Sequence, residues 1–509
     1  MKLLITFLFL ILLKTSYCLG HEIQVRGEIK KSDESMHQST SLYYIGEKEV
    51  LTYQNVKRFL SSKGDLVFSG VKGGSENKFY LRGMEGKYLS VYFNDVPYLV
   101  GQGERDGKSL EDLPLDFIEK IIIKKGPAGG QNGMAGSIYL YSGQTNKIGN
   151  DFRLTYETIK NSSLSFASRD KGLDFFFKHQ NNENNYWYKN IFQTDHSNRE
   201  EDRARQKRFS RGVEKFSLAS IRFHQSSLSY SEKRKQIPGE ARNPYFAVEQ
   251  FQQFATANQS YQKDLSNNIE VKGNFFLDLE RTTIENPHRE IMTMGPFYKS
   301  ESLKKGAHSE FVLFTTGDDF LKTDLSLNES RFFSNSFYSR FADLSFSSAY
   351  HLFLYGVTLD FSLGWHQRSY RQAHDPYRAI NFHFQVVFPL FQKTQLKLTY
   401  SDGHRFPEAK ELFFQEGYFI GNEKLSPEQA KQFQLGFFYN DSFLLQFFYT
   451  KYENLIENIM ISGRYYRPFN LKGAESRGLE IKQEMDFFLQ GKVSFGGSIL
   501  EIKNKSEGP

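Results

Sequence analysis

The sequence has one cysteine and two tryptophans among its 509 residues, and no long apolar run after its first fourteen positions. Lacking repeated runs of ~20 mostly apolar residues, it cannot be a bundle of membrane-spanning helices. The one thiol, Cys18, lies in the first twenty residues, so the remainder has neither a disulfide framework nor a thiol nucleophile. Aromatic residues, by contrast, make up 16% of the chain, as 50 Phe and 29 Tyr, while mean hydropathy is only −0.55. Phe and Tyr favour strands, and a chain polar on average yet rich in them implies strands with one apolar and one wet face. Disordered chains are depleted in aromatics, which excludes that class as well.

Residues 1–20 read as a secretory signal: Lys2, an apolar stretch from Leu3 to Leu13 broken only by Thr6, then Lys14 and cleavage options after Cys18 or Gly20. The stretch is too short to span a bilayer. Tyr17 stands where a lipoprotein signal would have a small residue. The formal charge of +6 does not imply nucleic acid, because the most charged run, Ser197 to Lys215, mixes Arg199, Arg203, Arg205 and Arg208 with Glu200, Glu201 and Asp202. Interleaved signs of this kind mark a solvated loop.

Texture divides the rest. Residues 41–147 are mixed, with a helix-like stretch from Tyr53 to Ser62 and short apolar runs separated by glycines, as in a small α+β domain. From residue 148 to 509 the pattern has period two. Ile380, Phe382, Phe384 and Val386 share one face and Asn381, His383 and Gln385 the other; Phe433 to Phe437 returns through Leu445 to Tyr449 after a turn at Asn440-Asp441. Such strands over more than three hundred residues suit a transmembrane antiparallel β-barrel with a polar interior, and exceed what one soluble sandwich usually holds.

Several separated motifs carry a resemblance. Leu81-Arg82-Gly83 is followed by Leu89 to Phe93 and Asn94-Asp95-Val96-Pro97, with Asn-Asp in place of a more usual Asp-Gly. Ile118-Glu119-Lys120-Ile121 runs through Lys125-Gly126-Pro127-Ala128 to Asn132-Gly133-Met134-Ala135-Gly136. Later come Arg405-Phe406-Pro407 with Glu411-Leu412-Phe413, Gly421-Asn422 with Pro427-Glu428, and Asn470, Ala474 and Gly478-Leu479-Glu480. In this order they resemble the TonB-dependent outer-membrane receptors. The resemblance implies an α+β plug inside a 22-stranded barrel, with Arg82, Gly83, Glu119, Lys125, Gly126, Pro127, Asn132 and Gly133 as plug-motif residues. Arg82, Glu119, Lys124 and Lys125 are expected to pair with one another or with the wall.

Glu22-Ile23-Gln24-Val25-Arg26-Gly27, in a linker over residues 21–40, looks like a TonB box. Its alternating Ile23 and Val25 suit strand addition to the TonB energy-coupling protein. The implied partners are that protein, outer-membrane lipid and a small chelate ligand, an iron–siderophore complex first and cobalamin or another chelate second. Lys72, Ser75, Asn77, Tyr98 and Arg105 are candidates for contacting it. A passive surface-binding barrel, an adhesin or phage receptor, is the alternative class. No cofactor is implied, and the glycine-rich segment lacks the Gly-Lys-Ser/Thr ending of a phosphate cradle. The sequence holds no nucleophile elbow or zinc-protease helix, and His224, His351, His366, His374 and His383 are too scattered to suggest a shared metal site.

Only about thirty residues follow Glu480, where the family pattern continues for several strands, and the chain ends on Pro509 rather than an aromatic. The expectation is therefore a barrel missing its last four to six strands, at ~9 to 11 residues each, and left with two open edges.

Overall fold

A computed structural model describes residues 40–504 except 54, 70–77, 99–109, 111–112, 128–132, 143–148, 158–160, 171–172, 184–185, 190–206, 211–212, 224, 238, 241–242, 245–246, 290–295, 316–318, 336, 374, 392, 417–418, 441, 462–464, 472 and 488–490. Two bodies are evident, one inside the other. The inner one is built on a five-stranded sheet ordered Thr40–Tyr44, Ile118–Lys125, Gly136–Ser142, Leu89–Phe93 and Val96–Pro97, with a parallel pairing between the third and fourth. A small sheet of Val67–Ser69, Lys78–Leu81 and Met84–Glu85 lies beside it. Val56, Phe59, Leu60, Leu115, Ile121, Ile123, Met134, Ile138 and Leu140 are almost wholly buried in its core.

The helix expected over Tyr53–Ser62 forms over Val56–Lys63, and a shorter one, Glu47–Thr52, precedes it. Tyr53 is extended and ends the shorter, and Asn55 caps the longer by accepting the Arg58 N–H, which fixes the break between them. Asn94 and Asp95 both adopt left-handed φ, +48° and +62°. That is the two-residue primed turn of a hairpin, which Asn and Asp tolerate almost as well as Gly, so the departure from Asp-Gly preserves the geometry.

Around this body runs one sheet of seventeen described strands, from Gly149–Glu157 to Gly491–Asn504, each antiparallel to the next, and the order closes on itself. The described strands, fewer than the family's twenty-two, are ordered as a ring around the plug.

The wall's polarity is inverted relative to a soluble protein. In the strand Val357–Tyr370, Phe361 and Leu363 are exposed at 45% and 48%, while Asp360, Ser362, His366 and Arg368 are buried. In Tyr377–Phe391, Ile380 and Phe384 face outward and Asn381, His383 and Gln385 inward, as the period-two reading placed them. His351 and His366 also line the interior wall; His224 and His374 lie outside the described residues. Connections at one end are short, at residues 171–172, 355–356 and 440–442, whereas at the other they are long, at 184–212, 406–427 and 454–472. In outer-membrane barrels the short turns face the periplasm and the long loops the exterior.

The outward face can be tested directly. Leu363→Arg, at mid-strand, is expected to destabilise the barrel in a bilayer by about 2–4 kcal/mol, and Phe391→Arg, at a strand end, by about 0–1 kcal/mol. Denaturant titration of vesicle-reconstituted protein measures both, and equal costs would contradict the assignment of these residues to different depths.

Candidate functional site at the contact of plug and wall

The inner body is fastened to the wall through its tight turns. Lys78–Leu81 and Met84–Glu85 are joined by Arg82 and Gly83 at φ +50° and +80°, again a primed turn. Any side chain at Gly83 would overlap those of Leu500 and Ile502 on the wall, so the glycine permits the close approach. The turn projects Arg82 outward. Its Nε donates to Glu480 Oε1 at 2.8 Å and its Nη2 to Glu480 Oε2 at 2.9 Å, the two-pronged geometry that makes arginine–carboxylate pairs strong. Nη2 also donates to Gln446 Oε1 at 3.1 Å, and the guanidinium lies 4.3 Å from the Phe448 ring centroid.

Lys125 ends the strand Ile118–Lys125 and reaches the same carboxylate, Nζ to Glu480 Oε2 at 3.3 Å, and Asp65 Oδ1 at 3.0 Å. Asp65 in turn accepts hydroxyl hydrogen bonds from Ser41, at 3.0 Å, and from Tyr43. Beyond Lys125, Gly126 bends at φ +91°, where a side chain would overlap Gln432, and Gln434 Nε2 donates to the Lys125 carbonyl at 3.4 Å. Two cations and two carboxylates therefore share one buried, formally neutral cluster.

Burial alone would raise the Asp65 pKa, but the Lys125 ammonium and the Tyr43 hydroxyl outweigh it and hold the carboxyl below its ordinary value. Burial alone would pull Lys125 down, but Glu480 and Asp65 outweigh it and raise the ammonium's pKa. Both groups are charged across the neutral range.

A second cluster lies where the wall meets its long loops. The Tyr88 hydroxyl donates to Glu428 Oε1 at 3.1 Å, the Ile456 N–H to the same oxygen at 2.7 Å, and Arg405 Nη1 to Oε2. Arg405 Nη2 also donates to Glu411 Oε1 at 2.9 Å, in the short helix Ala409–Phe413. Burial first, and then the Glu428 charge, pushes the Tyr88 pKa well up, so the phenol remains a donor. Lys87 Nζ donates to the Ile456 carbonyl at 3.0 Å. Across the lumen, Phe117 stacks on Phe176 at 4.8 Å, Lys178 Nζ is 4.0 Å from Asp116 Oδ1, and Asn258 Nδ2 donates to the Asn94 carbonyl at 3.3 Å.

Comparison with known proteins agrees with this architecture. The family model for the TonB-dependent receptor-like β-barrel matches residues 129–506, and that for the TonB-dependent receptor plug domain matches residues 35–137. The chain belongs to the TonB-dependent receptors.

Solved structures share its fold at low identity. The FrpB iron transporter of Neisseria meningitidis (F3-3 variant) is 12% identical with TM-score 0.69, covering 92% of this chain and 81% of that one. The copper transporter OprC is 14% identical with TM-score 0.71, covering 92% and 82%. A ferric enterobactin receptor mutant of Pseudomonas aeruginosa is 15% identical with TM-score 0.67, covering 92% and 81%. No curated protein sequence matches the chain.

Of the residues singled out in the sequence, the receptor brings Arg82, Gly83, Lys125, Gly126 and Pro127 to the wall. Pro127 sits against Gly403, where an added Cβ would lie 2.7 Å from the proline Cβ. Gly133 packs within the plug, close to the Gly136 carbonyl. Glu119 lies at the other end of its strand from Lys125, its carbonyl accepting the Ile45 N–H at 2.7 Å, and Lys124 Nζ lies 4.9 Å from the Tyr139 ring centroid. Tyr98 is in the plug core, with its N–H donating to the Val91 carbonyl and its ring 6.5 Å from Phe93. Glu22 to Gly27, Lys72, Ser75, Asn77, Arg105 and Asn132 lie outside the described residues. Glu480, Glu428 and Arg405 were quoted as motif letters without a role, although a buried carboxylate opposite a plug arginine was the available signal. Asp65 belongs to no motif, and nothing in the sequence marked it.

Removing the shared carboxylate leaves two buried cations under-compensated. Glu480→Ala is expected to weaken plug docking by about 3–5 kcal/mol. Hydrogen exchange should show this as faster exchange in Lys78–Phe93 and Ile118–Ser142 with the wall unchanged; unchanged plug protection would contradict the fastening role. The pH dependence follows from the signs. The Asp65 contribution is full above the ordinary carboxylate range and is lost as pH falls through its lowered value, whereas that of Lys125 is full below the ordinary lysine range and is lost above its raised value. Plug protection should be flat through neutral pH and fall at both extremes, with Asp65→Asn diminishing the acid limb.

Proposed function

We propose that this receptor takes up a scarce metal chelate, an iron–siderophore complex, across the outer membrane, driven by the TonB protein. The observation that carries the reading is a lumen occupied by a plug held through buried, neutralised ion pairs. Such a barrel is unsuited to passive diffusion, and its plug has to be moved by work from outside the barrel. Glu22 to Gly27, placed ahead of the first plug strand at Thr40, supplies a segment through which that work can enter. Residues 1–20 act as the export signal.

Iron transport, ferric enterobactin reception and copper transport are named for the structural relatives. Lys72, Ser75, Asn77 and Arg105 are proposed to contact the chelate from the plug.

Deletion of residues 22–27 provides the test. In cells given labelled ferric siderophores, surface binding is expected to persist and energised uptake to disappear. Undiminished uptake would instead support a passive or adhesive barrel. Binding of cobalamin with no ferric siderophore bound would reassign the cargo.

A further inference from the structure

Lys397 carries a buried charge that the fastening of the plug leaves unexplained. It is 1% exposed, on the inner face of the strand Thr394–Arg405, and its Nζ has no hydrogen-bond partner among the described residues. The carboxylate whose charge acts on it is Asp360, and that group is already engaged, bonded to His351 and accepting from Gln385 Nε2 at 2.6 Å. An ammonium cut off from water is strongly unfavourable without an acceptor.

Two more donors share its surroundings. Arg82 commits Nε and Nη2 to Glu480 and Gln446, but its Nη1 has no partner among the described residues, although the side chain is only 5% exposed. The Thr399 hydroxyl, two residues along the strand on the same face, is 2% exposed and likewise unmatched. The strand register brings these groups together. Lys397, Gly436, Gln446 and Glu480 stand opposite one another on four successive strands. The Lys397 and Gln446 backbones are thus about 10 Å apart, and Gly436 between them has no side chain to fill the row. Arg82 enters from the Gln446 side, and its charge acts on Lys397. Over Gly436 leans the edge of the Phe438 ring, the electropositive rim of an aromatic; a Cβ on the glycine would lie 2.8 Å from it.

We propose that a small monovalent anion, chloride or another halide, binds here between plug and wall and accepts from Lys397 Nζ, Arg82 Nη1 and the Thr399 hydroxyl. Monovalence follows from the charges: Arg82 and Lys125 are balanced by Glu480 and Asp65, which leaves the one positive charge of Lys397 with no carboxylate in contact. A halide only accepts, as a site lined by donors requires. Loss of the lysine proton would remove that charge but leave Arg82 Nη1 and the hydroxyl unmet. Arg82 belongs to the plug and the other two donors to the wall, so the anion is a further link between them. The inference concerns retention of the plug and does not depend on the cargo.

The full chain in vesicles tests it. Hydrogen exchange in Lys78–Phe93 is followed as chloride replaces gluconate at constant ionic strength, and the width of the chloride NMR line is read in parallel. Exchange is expected to slow several-fold and saturably in chloride, with a chloride line broadened by the protein and narrowed again by bromide. Lys397→Met, similar in length but uncharged, should abolish both effects. Thr399→Val should raise the chloride concentration needed several-fold, and it decides the matter if Lys397→Met does not fold, which heat-modifiable migration of the barrel checks. Plug exchange indifferent to chloride overturns the proposal, as does a chloride effect that persists in Lys397→Met or is unshifted in Thr399→Val. Inorganic phosphate protecting as well as chloride at the same ionic strength overturns the assignment to a monovalent ion.

Discussion

In hydrocarbon there is no water to satisfy a backbone N–H or C=O, so each strand of the wall must find both neighbours within the protein. That requirement is met by antiparallel pairing of each strand with the next, from Gly149–Glu157 round to Gly491–Asn504. The same surroundings then decide where side chains go. Alternate residues such as Phe361 and Leu363 meet lipid, while Asp360, Ser362 and His366 are committed to an interior that must be polar. The plug is therefore packed largely against amides, hydroxyls and charges, and its attachment combines ion pairs and hydrogen bonds with apolar contacts such as Phe117 on Phe176.

Ionic attachment in such a place has a particular energetic character. Taking Arg82, Lys125, Asp65 and Glu480 out of water costs several kcal/mol per ion, which their mutual attraction offsets only because the signs balance and the extra donors and acceptors are present. Gln446, Ser41 and Tyr43 supply those. An apolar contact of equal area would be at least as stable but would not release over a short distance. The charged cluster is geometrically demanding, and a small displacement of Lys125 or Asp65 uncovers the others.

The sequence revealed much of this and missed the rest for definable reasons. Period-two alternation located the wall because lipid and lumen impose opposite chemistry on successive residues, and Asn381, His383 and Gln385 proved to be interior as that pattern required. The Arg82-Gly83 and Lys125-Gly126-Pro127 motifs were legible because primed turns and left-handed glycines leave a local signature. Asp65 was invisible: its partners Tyr43 and Lys125 are distant in the chain and meet only through the sheet. The short helix Glu47–Thr52 was missed, since six residues with none of them buried leave no periodic signature.

The position of Asp65 also bears on how a force could release the plug. Thr40–Tyr44 is an edge strand of the plug sheet, and residues 21–39 lead directly into it. It is antiparallel to Ile118–Lys125, with Thr40 opposite Lys124. A pull arriving from the N-terminal side therefore loads first the backbone pairs beside Lys125. Drawing this strand away removes the Ser41 and Tyr43 hydroxyls from Asp65, exposing to burial without compensation a carboxylate that these donors and Lys125 had kept charged. Asp65 can then be hydrated only by leaving the cluster, and Lys125 loses one of its two anions. The first strand to feel the load is thus the one whose departure weakens the ion pairs at Glu480, so a local event of five residues is coupled to the fastening of the whole plug without any contact between that strand and Glu480 being needed.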